Sequence, residues 1–215
     1  TMEAIRGFVS KPNASTRRTR KKLLEACLQL AEHQDIATIT VRQITDLADL
    51  NRTTFYLHFP DVPALLQAVT DDLLEQLGEG GRTLLELNAD PSLDWQETYF
   101  STLALHSRLF LQLLKGPGGD ALTQRLLDSN GAWIAERWRA RGFMQDSDPH
   151  YRAMQVRFAA AGAHGLTVAW LEAGMPVPPR EICVWNHNYV MAVGAATSTL
   201  GGSPSSAILP ESPVR

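Results

Sequence analysis

Two cysteines, Cys27 and Cys183, are too few for a disulfide scaffold or a cysteine-rich zinc site in a chain of 215 residues. Each is expected as a small buried apolar residue. No uninterrupted apolar run approaches the ~20 residues that a membrane-spanning helix needs, so no membrane partner is expected. The N-terminal stretch is polar and basic rather than apolar, unlike a secretory signal, and the expected compartment is the cytoplasm. The sequence also lacks an HExxH-like metal motif, a nucleophile elbow and a phosphate-binding loop. His106 and His164, with Glu172, are the only residues that invite a catalytic reading, and a satisfied interior histidine is the simpler one. No catalytic residue, metal or cofactor is therefore expected, and there is no internal repeat.

What is present is an ordinary globular composition, 44% hydrophobic and 20% charged. The charge is unevenly spread. Residues 10–58 carry eight Lys or Arg against five Asp or Glu, which leaves −6 on the remainder of a chain whose net charge is −3. A basic end on an acidic body directs that end at a polyanion. Much of the excess comes from STRRTRKK, residues 15–22, where Arg17, Arg18, Arg20, Lys21 and Lys22 fall within six positions and suit contact with phosphates.

The chain is organised around VRQITDLADLNRTTFYLHF, residues 41–59. Val41, Ile44, Leu47 and Ala48 recur at helical spacing, and Thr40 stands where a hydroxyl caps a helix. Asp49 falls at a turn and is one of the few non-glycine residues that tolerates a left-handed conformation. Asn51 is placed to cap a second helix, in which Phe55 and Phe59 face the core. Arg52, Thr53, Thr54, Tyr56 and His58 are left facing outward. Such a set suits DNA, with Arg52 and Thr53 assigned to base edges and Thr40, Arg42, Thr54, Tyr56 and His58 to phosphates. Arg17 joins them from the basic approach. Two helices joined by a tight turn, the second carrying donors, predict a helix-turn-helix.

Thr40-Val41-Arg42, Ile44 and Ala48, Arg52, Thr54-Phe55-Tyr56, His58-Phe59 and Leu65 together resemble the DNA-binding signature of TetR/AcrR-type transcriptional regulators. The resemblance covers residues 16–66 with specific motifs and the remainder only through length and helix count. It departs at Asp49, where the family usually has Gly, at Thr53, where it has a smaller residue, and at Val62, where it commonly has a phosphate-binding Lys. The resemblance implies a dimeric regulator, most often a repressor, released from a near-palindromic operator when a small molecule fills its C-terminal part.

Periodicity predicts an all-α chain. A leader, residues 1–14, precedes a three-helix DNA-binding domain at 15–60. A helical regulatory and dimerisation domain follows at 61–200, then a Gly/Ser/Pro-rich tail at 201–215, expected to be disordered. Helix 4 starts near Asp61-Val62-Pro63 and carries a stripe of Leu65, Val69, Leu73 and Leu77, before Gly78, Gly80 and Gly81 loosen the chain. One continuous helix is expected from Asp94 to Gly116, with Trp95, Tyr99, Leu103, His106, Phe110 and Leu113 on one face. Three more helices should follow, near 120–141, 148–173 and 179–200.

Trp95, Tyr99, Leu103, His106 and Phe110, with Trp133, Trp138, His164 and Trp170, are the candidate lining of an apolar pocket for a small, largely apolar effector. Aromatics at helical spacing are also what a plain core contains. The small-residue run AAAGAHG, residues 159–165, lets helices approach closely. Phe158, Gly162 and Gly165, with Trp185, Tyr189, Ala192 and Ala196 on the last helix, are the candidate interface with a second copy. The expected partners are thus double-stranded DNA, a homodimer mate and a small molecule. The rival readings are a dimeric DNA-binding protein with no effector, which requires a fully packed C-terminal core, and an α-helical enzyme.

Overall fold

The computed structural model describes residues 14–86, 93–143 and 147–200, leaving aside the side chains of 79–86, 93–95 and 197–200. The expected leader and tail lie outside the described residues, apart from Ala14. All described elements are helical, and two compact units are present.

The first unit runs up to Leu77 and includes Arg108–Gln112. Helix α1, Ala14–His33, buries Leu23, Ala26, Cys27 and Ala31, which recur on one side of a 3.6-residue period. A short 3-10 turn, Ile36–Thr38, is capped by Asp35, whose carboxylate accepts from the Ala37 N–H at 2.9 Å. Helix α2, Val41–Ala48, begins with a capping box. The Thr40 hydroxyl accepts from the Gln43 N–H while the Gln43 side chain accepts from the Thr40 N–H, so two N–H groups without intrahelical partners are satisfied together. Asp49 ends the helix in the left-handed region, φ 54° and ψ 54°, as its residue type suggested. Helix α3, Arg52–His58, is capped by Asn51, which accepts from the Thr54 N–H at 2.7 Å. α1 packs on α2 and α2 on α3, with Ile44, Ala48, Phe55 and Phe59 buried.

Helix α4, Val62–Glu86, starts where the Asp61 carboxylate accepts from the Ala64 N–H at 2.8 Å. Its predicted stripe of Leu65, Val69, Leu73 and Leu77 is buried. The compact division falls after Leu77, inside α4, whereas the predicted helix order put the boundary between residues 60 and 61. The expected loosening at Gly78, Gly80 and Gly81 does not occur, because α4 continues to Glu86. A glycine costs a helix only about 1 kcal/mol relative to alanine, which a long helix absorbs.

The single helix expected from Asp94 is instead two: α5, Leu93–Leu105, and α6, Ser107–Lys115. His106 leaves helical geometry between them, φ −111° and ψ 25°. The apolar residues on the two sides belong to different units, Phe100 and Leu103 to the second, Leu109 and Phe110 to the first. Their spacing runs unbroken across the break, so periodicity alone does not reveal it.

The second unit, Gly78–Ser107 with the chain from Leu113 onward, contains α5, α7 at Gly119–Ala140, α8 at Pro149–Glu172 and α9 at Pro179–Leu200. α7 packs on α8, α8 on α9, and α5 on α9. Gly119 is required at the start of α7, since a Cβ there would lie 2.0 Å from the Leu114 carbonyl oxygen. Asp148 caps α8 by accepting from the His150 and Tyr151 N–H groups, and Pro149 occupies its first turn. The core gathers Ile134, Trp138, Ala159, Ala160 and Val190. The small-residue run therefore divides: Ala159 and Ala160 enter the core, while Gly162 and Gly165 face outward.

Candidate functional site

Helix α3 is seven residues long, and its burial pattern fixes which way each side chain points. Phe55 is fully buried, and its ring meets that of Phe59 at 6.1 Å. The opposite side is left to Arg52, Thr53, Tyr56 and Leu57, all exposed, with Thr54 and His58 partly so. Tyr56 is held upright by an edge-on contact with Phe55, ring centres 5.4 Å apart. Thr54 donates its hydroxyl hydrogen to the Asn51 carboxamide oxygen at 2.9 Å, so its oxygen remains an acceptor while its proton is engaged. Thr40 is likewise engaged in its capping box, donating to Gln43 Oε1 at 2.8 Å, although it stays exposed. Arg42 is exposed, and its loose pairing with Asp46 at 3.5 Å leaves its other guanidinium nitrogens available.

Arg17, Arg18, Arg20, Lys21 and Lys22 are all exposed on α1. Arg20 stacks on the Phe59 ring, which ties this basic segment to the end of α3. Every candidate DNA-contacting residue thus lies in the first unit and reaches solvent. Leu57, which the polar pattern of the sequence leaves out because it is apolar, stands exposed among the predicted contacts.

Helix order, the left-handed turn at Asp49 and the outward set on α3 can be compared with known proteins. No family model and no curated protein matches the sequence. Solved structures do match the fold. A TetR-family transcriptional regulator from Streptomyces coelicolor superposes with a TM-score of 0.61 at 21% identity, covering 86% of this chain and 86% of that one. The dihydroxyacetone kinase operon activator DhaS gives 0.64 at 16% identity, covering 83% and 97%. RolR, in complex with resorcinol, gives 0.52 at 19% identity, covering 91% and 98%. This chain has the TetR fold. Within that fold, α2 and α3 form the helix-turn-helix, and α5, α7, α8 and α9 belong to the helical C-terminal unit.

The C-terminal unit of this TetR fold holds a small cavity of about 30 Å³, lined by Gln96, Tyr99, Phe100, Asn130, Trp133, Ile134, Ala163, Thr167, Asn186 and Val190. Of the predicted lining, only Tyr99 and Trp133 are there. Leu103, Trp138 and Trp170 are buried core residues instead and are absent from the lining. Their indole N–H groups are satisfied internally, Trp138 donating to the Val190 carbonyl at 3.2 Å and Trp170 to the Val177 carbonyl at 2.9 Å. Phe110 is buried in the first unit and His106 sits at the α5–α6 break. His164 is half-buried outside the lining, its pKa lowered by burial. The Trp95 side chain lies outside the described residues. Glu172 pairs with Lys115 at 2.8 Å rather than with a histidine.

The lining is half polar. Gln96 is 3% exposed, with its Nε2 3.3 Å from His187 Nδ1 and its Oε1 3.9 Å from the Cys183 thiol. Tyr99 hydrogen-bonds the Asn130 side chain, and burial outweighs that bond to push the phenol up to about 12. Asn186 Oδ1 is buried and accepts no hydrogen bond among the described residues. Sequence patterning points to aromatics and passes over these amides, since an isolated Gln or Asn on a helix reads as surface. Among the described residues no three His, Cys, Asp or Glu side chains group as metal ligands would, and no helix is long and apolar enough to cross a membrane.

Phe158, Gly162, Gly165, Trp185, Tyr189, Ala192 and Ala196, the predicted interface residues, are all exposed on α8 and α9. Met154, four residues before Phe158, extends the same exposed apolar set.

Proposed function

We propose that this protein is a dimeric, DNA-binding regulator of transcription that reads duplex DNA with α3. The carrying observation is that Phe55 in α3 and Phe59 at its end are buried while Arg52, Thr53 and Tyr56 turn outward, within residues 10–58, whose eight Lys or Arg exceed five Asp or Glu. Arg52 and Thr53 read base edges, while Arg17, Arg42, Thr54, Tyr56 and His58 hold phosphates, and Thr40 adds a phosphate contact beyond its cap. One helix reads one half-site. A near-palindrome with half-sites one helical turn apart, ~34 Å or a multiple, follows from twofold symmetry.

The second copy docks on α8 and α9. Phe158 is 66% and Tyr189 62% exposed, a large apolar exposure that a symmetric four-helix contact would remove. Phe158→Glu together with Tyr189→Glu should give a monomer by sedimentation or light scattering; an unaltered dimer would remove this interface.

The effector enters the cavity of the C-terminal unit. As it stands the cavity accommodates about one or two waters, so a ligand must displace the half-buried Tyr99 and Trp133 walls, and that displacement is the conformational step. Amides and hydroxyls without a formal charge select a small, uncharged, hydrogen-bonding molecule rather than the largely apolar one that aromatic spacing suggested. Binding that favours a head separation unfit for the operator releases DNA, which gives repression relieved by ligand.

The deciding experiment is a salt-titrated comparison of the full chain on duplex selected from a random pool and on an unrelated duplex of equal length. Preference of ~10³ or more supports the reading. Equal binding with a steep salt slope leaves only charge attraction and overturns it.

A further inference from the structure

We propose that Leu57 is a specificity-determining residue that packs against the 5-methyl group of a thymine in each half-site. The inference rests on the DNA-reading function proposed above and adds a base preference to it.

Leu57 is 80% exposed, more than any other large hydrophobic side chain among the described residues. Its exposed companions on α3 are Arg52, Thr53 and Tyr56 rather than other aliphatic side chains. Its helical neighbours at i−3 and i−4 are Thr54 and Thr53, and Tyr56 adjoins it, so two i, i+4 rows, Arg52 with Tyr56 and Thr53 with Leu57, form the outward side of α3. The helix cannot rotate to hide it, because Phe55 and Phe59 pin the other side in the core and the Asn51 cap fixes the N-terminus. An isobutyl group held in solvent therefore shares a face with a guanidinium, a hydroxyl and a phenol.

The occupant of that face must accept positive charge and also offer something apolar at the same depth. The floor of the major groove does both: it is flanked by phosphates, and its one apolar group is the thymine methyl. A leucine there makes no hydrogen bond, so it contributes nothing to reading adenine, guanine or cytosine edges. It discriminates by the methyl alone.

That gives a test at the level of one carbon atom. A preferred duplex is selected from a random-sequence pool by the full chain, and each of its thymines is then replaced, one at a time, by deoxyuridine. This removes the methyl and leaves every hydrogen-bonding group in place. With the native protein, at least one position in each half-site should weaken binding about three- to five-fold, the ratio expected for burying one methyl group. Leu57→Ala should bind thymine and uracil duplexes equally at that position while unfolding at an unchanged urea midpoint, since the side chain supports no core. Uracil tolerated everywhere, or a methyl preference that persists in Leu57→Ala, overturns the proposal. Enrichment of no sequence at all removes the DNA-reading function, and this inference with it.

Discussion

The guanidinium of Arg20 lies over the ring of Phe59, its central carbon 4.5 Å from the ring centre. One residue belongs to the basic segment of α1 and the other closes α3, so a cation–π contact joins the charged segment to the helix with the outward Arg52, Thr53 and Tyr56. An exposed contact of this kind is worth about 0.5–1 kcal/mol. Arg20→Ala should lower the unfolding free energy by that amount in urea titration. Arg20→Lys should recover only part of it, because the planar stack is lost while the charge is kept. An unchanged midpoint in the Ala variant would show that the stacking carries no weight.

Asp49 holds a left-handed conformation that ordinary L-residues adopt at a cost of roughly 1–2 kcal/mol. Asp49→Gly should be at least as stable as the native chain, and Asp49→Ala less stable than Asp49→Gly by ~1 kcal/mol. Equal urea midpoints for the two variants would contradict the strain assigned to this turn.

Gly194 faces the opposite way in energetic terms. A Cβ there would come within 2.6 Å of Trp138 Nε1 and 2.7 Å of the Phe143 ring. At an open helical site Gly→Ala stabilises by up to about 1 kcal/mol. Here Gly194→Ala should destabilise by about 1–3 kcal/mol through overpacking, with a shift in tryptophan emission as the Trp138 bond to Val190 is disturbed. The sign alone decides between the two.

Burial raises the Cys27 thiol from its ordinary 9.0 to about 12 and the Tyr99 phenol from 10.0 to about 12. Both groups hold their protons more tightly folded than unfolded. Their contribution is fully present below pH 9 and is lost as pH climbs from 9 through about 12. Urea midpoints should fall steadily over that window, and the fall should be shallower in Tyr99→Phe. A flat profile to pH 12 would refute the assigned burial effect.

The sequence exposed what is decided locally. Thr40, Asn51 and Asp61 cap their helices through bonds spanning three residues, and Asp49 adopts its turn by its own conformational tolerance. The outward side of α3 is legible for the same reason, since Phe55 and, just past the helix end, Phe59 take one side and leave only the other. What depends on distant neighbours was not. The cavity's Gln96, Asn130 and Asn186 come from three helices and meet only in three dimensions. Trp138 and Trp170 look like pocket aromatics, but both are buried and their N–H groups donate to the backbone carbonyls of Val190 and Val177. The break at His106 falls within one apolar stripe whose two halves belong to different units.

Gln112 is the plainest case of such long-range dependence. Its Oε1 accepts from the Ile36 N–H at 2.7 Å, and its Nε2 donates to the carbonyls of Ala31 and Gln34 at 3.3 Å each. These bonds finish the backbone at the end of α1 and at the turn before the helix-turn-helix, from a residue 76 to 81 positions later in the chain. The first unit is therefore not a transplantable N-terminal module. A chimera joined after Leu77 would carry α1 to α3 but would leave behind the amide that closes their own backbone. Moving this unit into another chain would require two separate stretches of sequence to travel together.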